Sequence, residues 1–302
     1  MQSFQQLALI GPTASGKTAL SIKVATHMNA HILSLDSLSI YKEIDIVSAK
    51  PTVEERGDIK HFGIDTIYPN ENFDVTTFIK LYHDVHAQCV EEGKNLVIVG
   101  GTSFYLKMLM EGISELPVNS EATYALSKEK LLHVEEAHAF LHRLDSDYMN
   151  NIETKDTYRI EKALNIYYET GLTPSAYFKL HPPIATIQEP LPIYQIVWDR
   201  ALLRSRIALR TKLMVNDGLI DEICMLEKKY GRNPNCMKSI GIKETLAYID
   251  GRYDKKMLIE KITTNTARLA KRQTTFNNSQ FENVKNSTVK KGSVEELEKI
   301  LL

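Results

Sequence analysis

Cysteine is scarce in this chain. The three present (Cys89, Cys224 and Cys236) are scattered with no C-x-x-C pair, which argues against a disulfide framework and a thiolate zinc site and fits a reducing cytoplasm. Charge of one sign is also missing. A net charge of −1 gives no whole-molecule basic field, so any nucleic-acid surface has to be local. No apolar run approaches membrane-spanning length. The apolar residues 4–10 are too few for a signal peptide and run straight into a glycine-containing loop, so they are expected to be a strand. Repeats and low-complexity tracts are absent as well. What remains is ordinary for a globular protein: 302 residues, 43% apolar and 25% charged, enough for one or two domains with a substantial core.

The most informative stretch lies near the start. Leu7-Ala8-Leu9-Ile10 is followed by Gly11-Pro12-Thr13-Ala14-Ser15-Gly16-Lys17-Thr18, and then by a helical pattern through Leu20, Val24 and Ala25. Strand, G-x-x-x-x-G-K-T and helix are the context that a phosphate-binding P-loop requires. Gly11 and Gly16 let the loop curl so that its N–H groups point inward, and the helix adds its positive dipole end. Lys17 supplies a mobile charge for an outer phosphate, and Thr18 a hydroxyl for Mg²⁺. A nucleotide or another diphosphate is the expected ligand.

Further along, residues 32–36 read as a second strand with Asp36 at its carboxyl end, where open α/β sheets collect their ligands. Residues 37–63 read as loops, and Phe73–Val90 as an amphipathic helix. A third strand, Asn95–Val99, leads into Gly100-Gly101-Thr102 and another helix. Composition shifts near 115, and residues 121–170 read as helices only, with ten acids against six basic residues. A second break, expected from Pro174 to Pro192 and centred near 185, precedes a returning strand, 193–198. The expected architecture is a P-loop NTPase-like α/β core with a parallel sheet flanked by helices (1–115 and 186–302). An all-helical insertion occupies 116–185.

After that strand the chain turns basic. Arg206 and Arg210 are four apart and share a helix face, an arrangement suited to bidentate capture of phosphate oxygens; a merely solvated face is the other reading. Lys238–Lys243 forms a small basic segment. The third strand lacks the terminal carboxylate that motor and switch NTPases use to hold metal. That favours a transferase or kinase using Asp36 as a base over a hydrolytic ATPase. Asp36 as a turn former and Thr102 as a helix cap stay open as plainer readings. His83 and His86, three apart with no third ligand nearby, read as surface residues.

These motifs, in this order, resemble the tRNA dimethylallyltransferases (tRNA isopentenyltransferases) over essentially the whole chain. The markers are Gly11–Thr18, Asp36-Ser37-Leu38-Ser39-Ile40-Tyr41, Asp45–Pro51, Val99–Tyr105, Asp156–Ala163, Arg206-Ile207 with Arg210, Gly218–Glu222, Ser239–Glu244 and Lys271–Thr275. The resemblance implies transfer of a dimethylallyl group from dimethylallyl diphosphate to the exocyclic amine of the adenine 3′ of a tRNA anticodon. Asp36 would be the base, Thr102 would position the amine, and Arg210 and Arg206 with Gly11, Pro12, Thr13, Ala14, Ser15, Gly16, Lys17 and Thr18 would hold the departing diphosphate. Thr18 would also hold Mg²⁺.

Contacts to tRNA are implied for Asp36, Ser37, Leu38, Ser39 and Thr102. They are also implied for Tyr158, Arg159, Ile160, Glu161 and Lys162, and for Lys238, Ser239, Ile240, Gly241, Ile242 and Lys243. The chain departs from the family pattern at Ser39, Val47-Ser48, His61-Phe62, Glu153–Lys155, Tyr158 and Phe276–Asn278, all of which bear on recognition more than on chemistry. A cytoplasmic monomer without membrane contact is expected. The alternatives are an ATP-binding small-metabolite kinase, a transferase acting on a free adenine nucleotide, and a non-catalytic RNA-binding module.

Overall fold

A computed structural model describes residues 4–281 and 287–302 and divides the chain into two compact units, 1–110 with 187–302, and 111–186. The first unit opens with β1 (Gln6–Ile10), α1 (Lys17–His27), β2 (Ala30–Ser34), α2 (Val53–Arg56), β3 (His61–Phe62), α3 (Val75–Glu91), β4 (Asn95–Gly100) and α4 (Ser103–Glu111). The second unit follows with α5 (Glu121–Leu131), α6 (Val134–Leu144), α7 (Ser146–Met149), α8 (Thr157–Thr170) and α9 (Pro174–Leu180). The chain then returns to the first unit through β5 (Leu191–Ile196), α10 (Arg200–Asn216), α11 (Leu219–Tyr230), α12 (Ile242–Ile249), α13 (Lys255–Gln280), β6 (Ser287–Gly292) and α14 (Val294–Leu301).

The six strands form one sheet in the order β3-β2-β4-β1-β5-β6, with every pairing parallel. Strand side chains alternate between faces. Ala8, Ile10, Leu33, Leu96 and Ile98 meet α3 and α4 through Phe78, Val85, Leu106 and Leu109. Leu7, Leu9, Ile32 and Val97 meet α1 and α14 through Leu20, Val24 and Leu297. Burial on both faces explains why these strands read as continuous apolar runs. A third cluster packs the 40–47 segment (Ile40, Tyr41, Ile44 and Val47) on Leu219, Ile223, Ile242 and Ile262, fixing a loop that borders the site.

Two strands escape the sequence pattern. β3 has only two residues, within the stretch expected to be loop, and β6 carries two lysines in Ser-Thr-Val-Lys-Lys-Gly. Both are edge strands whose pairing partners, β2 and β5, supply the order that their own sequences do not.

The second unit has its own core of Ala137, Leu141, Met149, Ile160, Ala163 and Leu164. An antiparallel bridge between Ile113 and Ile184 joins its two ends, so the segment after Met110 belongs to this unit and the division falls ahead of the composition break near 115. No helix of the described residues is long and apolar enough to cross a membrane. His86 is half-buried, with its ring edge-on to Phe4 at 4.6 Å, and no group of three or more His, Cys, Asp or Glu able to hold a metal exists among the described residues.

Candidate active site

The parallel sheet brings four chain segments to its carboxyl edge: the P-loop after β1, Asp36 beyond β2, Gly101-Thr102 beyond β4, and Trp198 beyond β5. β2 and β4 approach so closely that a Cβ on Gly100 would lie 2.5 Å from Leu35 Cβ. Only glycine permits this spacing, and it sets the separation of Asp36 from Thr102. The Thr102 hydroxyl accepts from Ser37 N–H at 3.3 Å, a bond that ties the two loops together.

The P-loop is fastened residue by residue. Gln273 on α13 accepts from Thr13 N–H through Oε1 at 2.9 Å. Arg206 Nε donates to Ala14 O at 2.9 Å, and Trp198 Nε1 donates to Ser15 O, also at 2.9 Å. Lys17 Nζ donates to Pro12 O at 2.7 Å. Ala14 has φ +63°, a left-handed conformation unfavourable for a residue with a Cβ, and the Arg206 bond holds its carbonyl in place. Gly16 has φ +90°, and no side chain caps α1, so the first N–H groups of that helix stay available to an anion. The Arg206 guanidinium lies over the Trp198 ring, 4.6 Å from its centroid. Behind the loop, Ala267 and Ala270 of α13 pack on Leu203 and Ile207 of α10; their small size lets the two helices close on the cradle.

Two cavities meet here. The larger, about 870 Å³, is lined by the P-loop, Asp36, Ser39, Ala49–Pro51, Gly101, Arg206, Leu209 and Arg210. The smaller, about 300 Å³, is lined by Ser37, Leu38, Thr102, Thr211, Met214 and Ser239-Ile240-Gly241. Thr13, Ala14, Asp36, Ser48, Arg210 and Gln273 border both. Asp36 is half-buried. Its Oδ1 accepts from Leu38 N–H at 2.8 Å and Ser39 N–H at 3.2 Å. Oδ2 has no hydrogen-bond partner among the described residues. The turn-former and reactive-carboxylate readings of Asp36 are thus compatible, one on each oxygen.

Charge is concentrated where the chambers join. Burial pulls the Lys17 ammonium down to about 8, with Asp36 opposing the shift and Arg210 adding to it. Burial also lowers Arg210, against the pull of Asp36 and with help from Arg206. Arg210 Nη2 donates to Ala49 O at 3.3 Å. His61 is lowered by burial, and its Nδ1 is 2.9 Å from Ile59 O. The 45–47 turn is held by Glu222, whose carboxylate accepts from the N–H groups of Asp45 (2.9 Å), Ile46 (2.6 Å) and Val47 (3.0 Å).

A divalent cation fits the donors present. Thr18 is exposed into the larger chamber beside the P-loop, and the buried Ser15 hydroxyl makes no hydrogen bond. Without a three-ligand cluster, the protein would contribute one hydroxyl and the bound phosphates the rest, as Mg²⁺ prefers.

The residues expected to face RNA divide. Lys238 and Lys243 are exposed, and Ser239-Ile240-Gly241 lines the smaller chamber. Gly241 has φ +93°, and a Cβ there would meet Val47 Cγ2 at 2.4 Å. Ile242, however, is fully buried in the third core cluster. In the second unit, Tyr158 is 68% exposed, with Lys162 Nζ 5.6 Å from its ring centroid, and Arg159 pairs with the α8 cap Asp156 at 3.4 Å. Glu161 is half-buried. Ile160 is core, because a helix presenting Tyr158, Arg159 and Lys162 outward must turn the residue between them inward. Ser39 is buried and lines the P-loop chamber instead of the one containing Ser37 and Leu38. At Phe276–Asn278, Asn277 is 1% exposed and Asn278 Oδ1 accepts from Gln195 Nε2 at 2.9 Å; Phe276 is half-buried and Asn278 exposed, so only the middle position of this departure from the family pattern is interior.

Sequence reasoning missed Trp198, Glu222 and Gln273 as organising side chains. The last two stand inside motifs singled out above, but nothing local assigns their partners.

A family model described as IPP transferase matches residues 39–280. The tRNA dimethylallyltransferase of Sulfurovum sp. (strain NBC37-1) is 69% identical over 301 residues, covering 100% of this chain and 98% of the relative. Among solved structures, the full-length tRNA isopentenylpyrophosphate transferase from Bacillus halodurans aligns with TM-score 0.68 at 28% identity, covering 99% of this chain and 96% of its own. A eukaryotic dimethylallyltransferase acting on tRNA shares the fold with TM-score 0.79 at 24% identity, over 95% of this chain and 74% of its own.

Proposed function

This chain belongs to the IPP transferase family, and from that premise we propose that it transfers a dimethylallyl group from dimethylallyl diphosphate to the N6 amine of the adenine 3′ of the anticodon in tRNA. The observation that carries the reading is the meeting of two chambers at Asp36 and Arg210, one headed by the phosphate cradle and the other by Thr102 and Ser239-Ile240-Gly241. Neither the small-metabolite kinase nor the free-nucleotide transferase has support in the comparisons.

The adenine amine is a weak nucleophile, since its lone pair is delocalised into the purine. Asp36 takes its proton as the N–C bond forms, and the allylic C–O bond breaks to release diphosphate. Negative charge builds on the leaving group, where Lys17, Arg206, Arg210 and the amides of the loop and α1 are preorganised to receive it. Thr102 holds the amine from the other side. The Thr18 hydroxyl would hold Mg²⁺, which would add to the charge neutralisation of the leaving group when bound. The base has to leave the anticodon-loop stack first, at a cost of roughly a few kcal/mol. Lys238 and Lys243, with Tyr158, Arg159 and Lys162 of the helical unit, contact the RNA backbone and loop. One chain supplies every group named, in support of a monomer, and a tRNA substrate supports action in the cytoplasm.

Nucleoside mass spectrometry on tRNA incubated with the protein, Mg²⁺ and dimethylallyl diphosphate tests the reading. Prenylated adenosine beside the anticodon is expected. Unmodified tRNA together with ATP turnover would replace this reading with the kinase one.

A further inference from the structure

We propose that Gln273 is a positioning residue that sets the distance between the diphosphate cradle and the acceptor end of the site. This rests on the transferase reading and assigns a role to a side chain whose amide is engaged at both ends by the backbone.

The argument starts from the two ends of one amide. Gln273 Oε1 accepts from Thr13 N–H at 2.9 Å, and Nε2 donates to Gly101 O at 3.0 Å. The first bond reaches the P-loop. The second reaches the residue before Thr102, whose hydroxyl in turn accepts from Ser37 N–H at 3.3 Å, next to Asp36. A single side chain thus links the leaving-group end of the reaction to the proton-accepting end through a short, continuous set of hydrogen bonds. Gln273 also borders both chambers, so it stands in the wall that they share.

The surrounding residues leave the amide little freedom. A Cβ on Gly101 would come within 2.4 Å of Gln273 Nε2. The backbone at position 101 is therefore kept bare so that this side chain can reach its carbonyl. Behind it, Ala270, one turn earlier on α13, is buried against Leu203 and Ile207, which anchors the helix. An amide is the group that meets both demands, since it offers one acceptor and two donors. A carboxylate would face the Gly101 carbonyl with no proton to donate, and an alkyl or thioether chain would satisfy neither partner. Transfer between two bound reactants is sensitive to small displacements of either. Loosening this link should therefore lower the rate of the chemical step in addition to any effect on binding.

The test uses Gln273→Met, which keeps the length and loses both hydrogen bonds, beside Gln273→Glu, which keeps only the bond to Thr13. Three readouts are taken on the full chain: pyrophosphate affinity by calorimetry, anticodon stem-loop affinity, and single-turnover prenyl transfer at saturating reactants. For Gln273→Met the expected result is a transfer rate at least about tenfold lower, weaker pyrophosphate binding, and unchanged stem-loop affinity. Gln273→Glu is expected to lose rate as well, because the link to Gly101 is gone. If Gln273→Met folds and transfers at the wild-type saturated rate, the proposal is wrong. It is equally wrong if the rate falls only in proportion to the folded fraction read by circular dichroism. If the wild-type protein makes no prenyladenosine at all, the transferase reading fails instead. The pyrophosphate affinities still decide whether Gln273 organises the cradle: equal values for wild type and Gln273→Met would overturn that part too.

Discussion

Replacing Asp36 by asparagine removes the proposed base while sparing the loop that carries it. An asparagine Oδ1 can still accept from Leu38 N–H and Ser39 N–H, which the aspartate holds at 2.8 and 3.2 Å, so the loop keeps both of its hydrogen bonds. General-base catalysis contributes typically 10²–10⁴-fold, which corresponds to a barrier increase of about 2.7–5.4 kcal/mol when it is lost. The effect on donor binding has the opposite sign. Asp36 is an anion close to Lys17 and Arg210, as its influence on both shows, and it repels a diphosphate in the same chamber. Its neutralisation should leave donor KM unchanged or lowered. The same substitution takes away the charge that holds the Lys17 ammonium up, so Lys17 loses its proton at lower pH in the variant, and the two proteins are compared across a pH series that extends well below 7. Single-turnover transfer from labelled dimethylallyl diphosphate to an anticodon stem-loop isolates the chemical step. A loss of rate with both affinities kept is expected. Activity within threefold of wild type, or a loss explained wholly by raised donor KM, would refute the assignment.

Other consequences are equally direct. Lys17 binds the diphosphate as a cation, and burial sets its value at about 8 in the free protein; pyrophosphate affinity should be full below that pH and decline above it. Lys17→Arg, whose guanidinium stays charged, should show a flatter profile measured by calorimetry. Gly100→Ala would force a Cβ to 2.5 Å from Leu35 Cβ, and overpacking of that kind costs about 1–3 kcal/mol, visible as a lowered denaturant midpoint. Glu222→Ala strands three backbone N–H groups at 45–47. The expected loss is roughly 2 kcal/mol or more, with reduced transfer because Val47 and Ser48 line the smaller chamber. Lys238→Ala should reduce the slope of log affinity for tRNA against log salt by about one while leaving the saturated transfer rate unchanged.

What could be read from the sequence follows the range of the interactions involved. The P-loop, β1, β2 and β4 were legible because strand burial and loop chemistry are local: continuous apolar runs end in residues chosen for a turn. Helices α5 to α8 were legible too, since residues 121–170 read as helices only, whereas α9 (Pro174–Leu180) lies in a stretch whose prolines read as a break, although Thr173 caps it and Pro174 opens it. β3 and β6 were not, because a two-residue edge and a lysine-containing segment become strands only through their neighbours. Gln273 shows the same limit inside the site, since its partner Thr13 lies 260 positions away. Ile160 and Ile242 show the converse. Motif matching placed them against RNA as members of contiguous runs, whereas helix geometry turns every third or fourth side chain into the core.

The central claim joins a phosphate cradle to a neighbouring carboxylate in one displacement, and stoichiometry tests it most directly. With Mg²⁺, dimethylallyl diphosphate and tRNA, and with ATP withheld, pyrophosphate release and prenyl incorporation should rise together, one for one, and both should stop when tRNA is omitted. Pyrophosphate release without incorporation, or incorporation that needs ATP, would contradict the account.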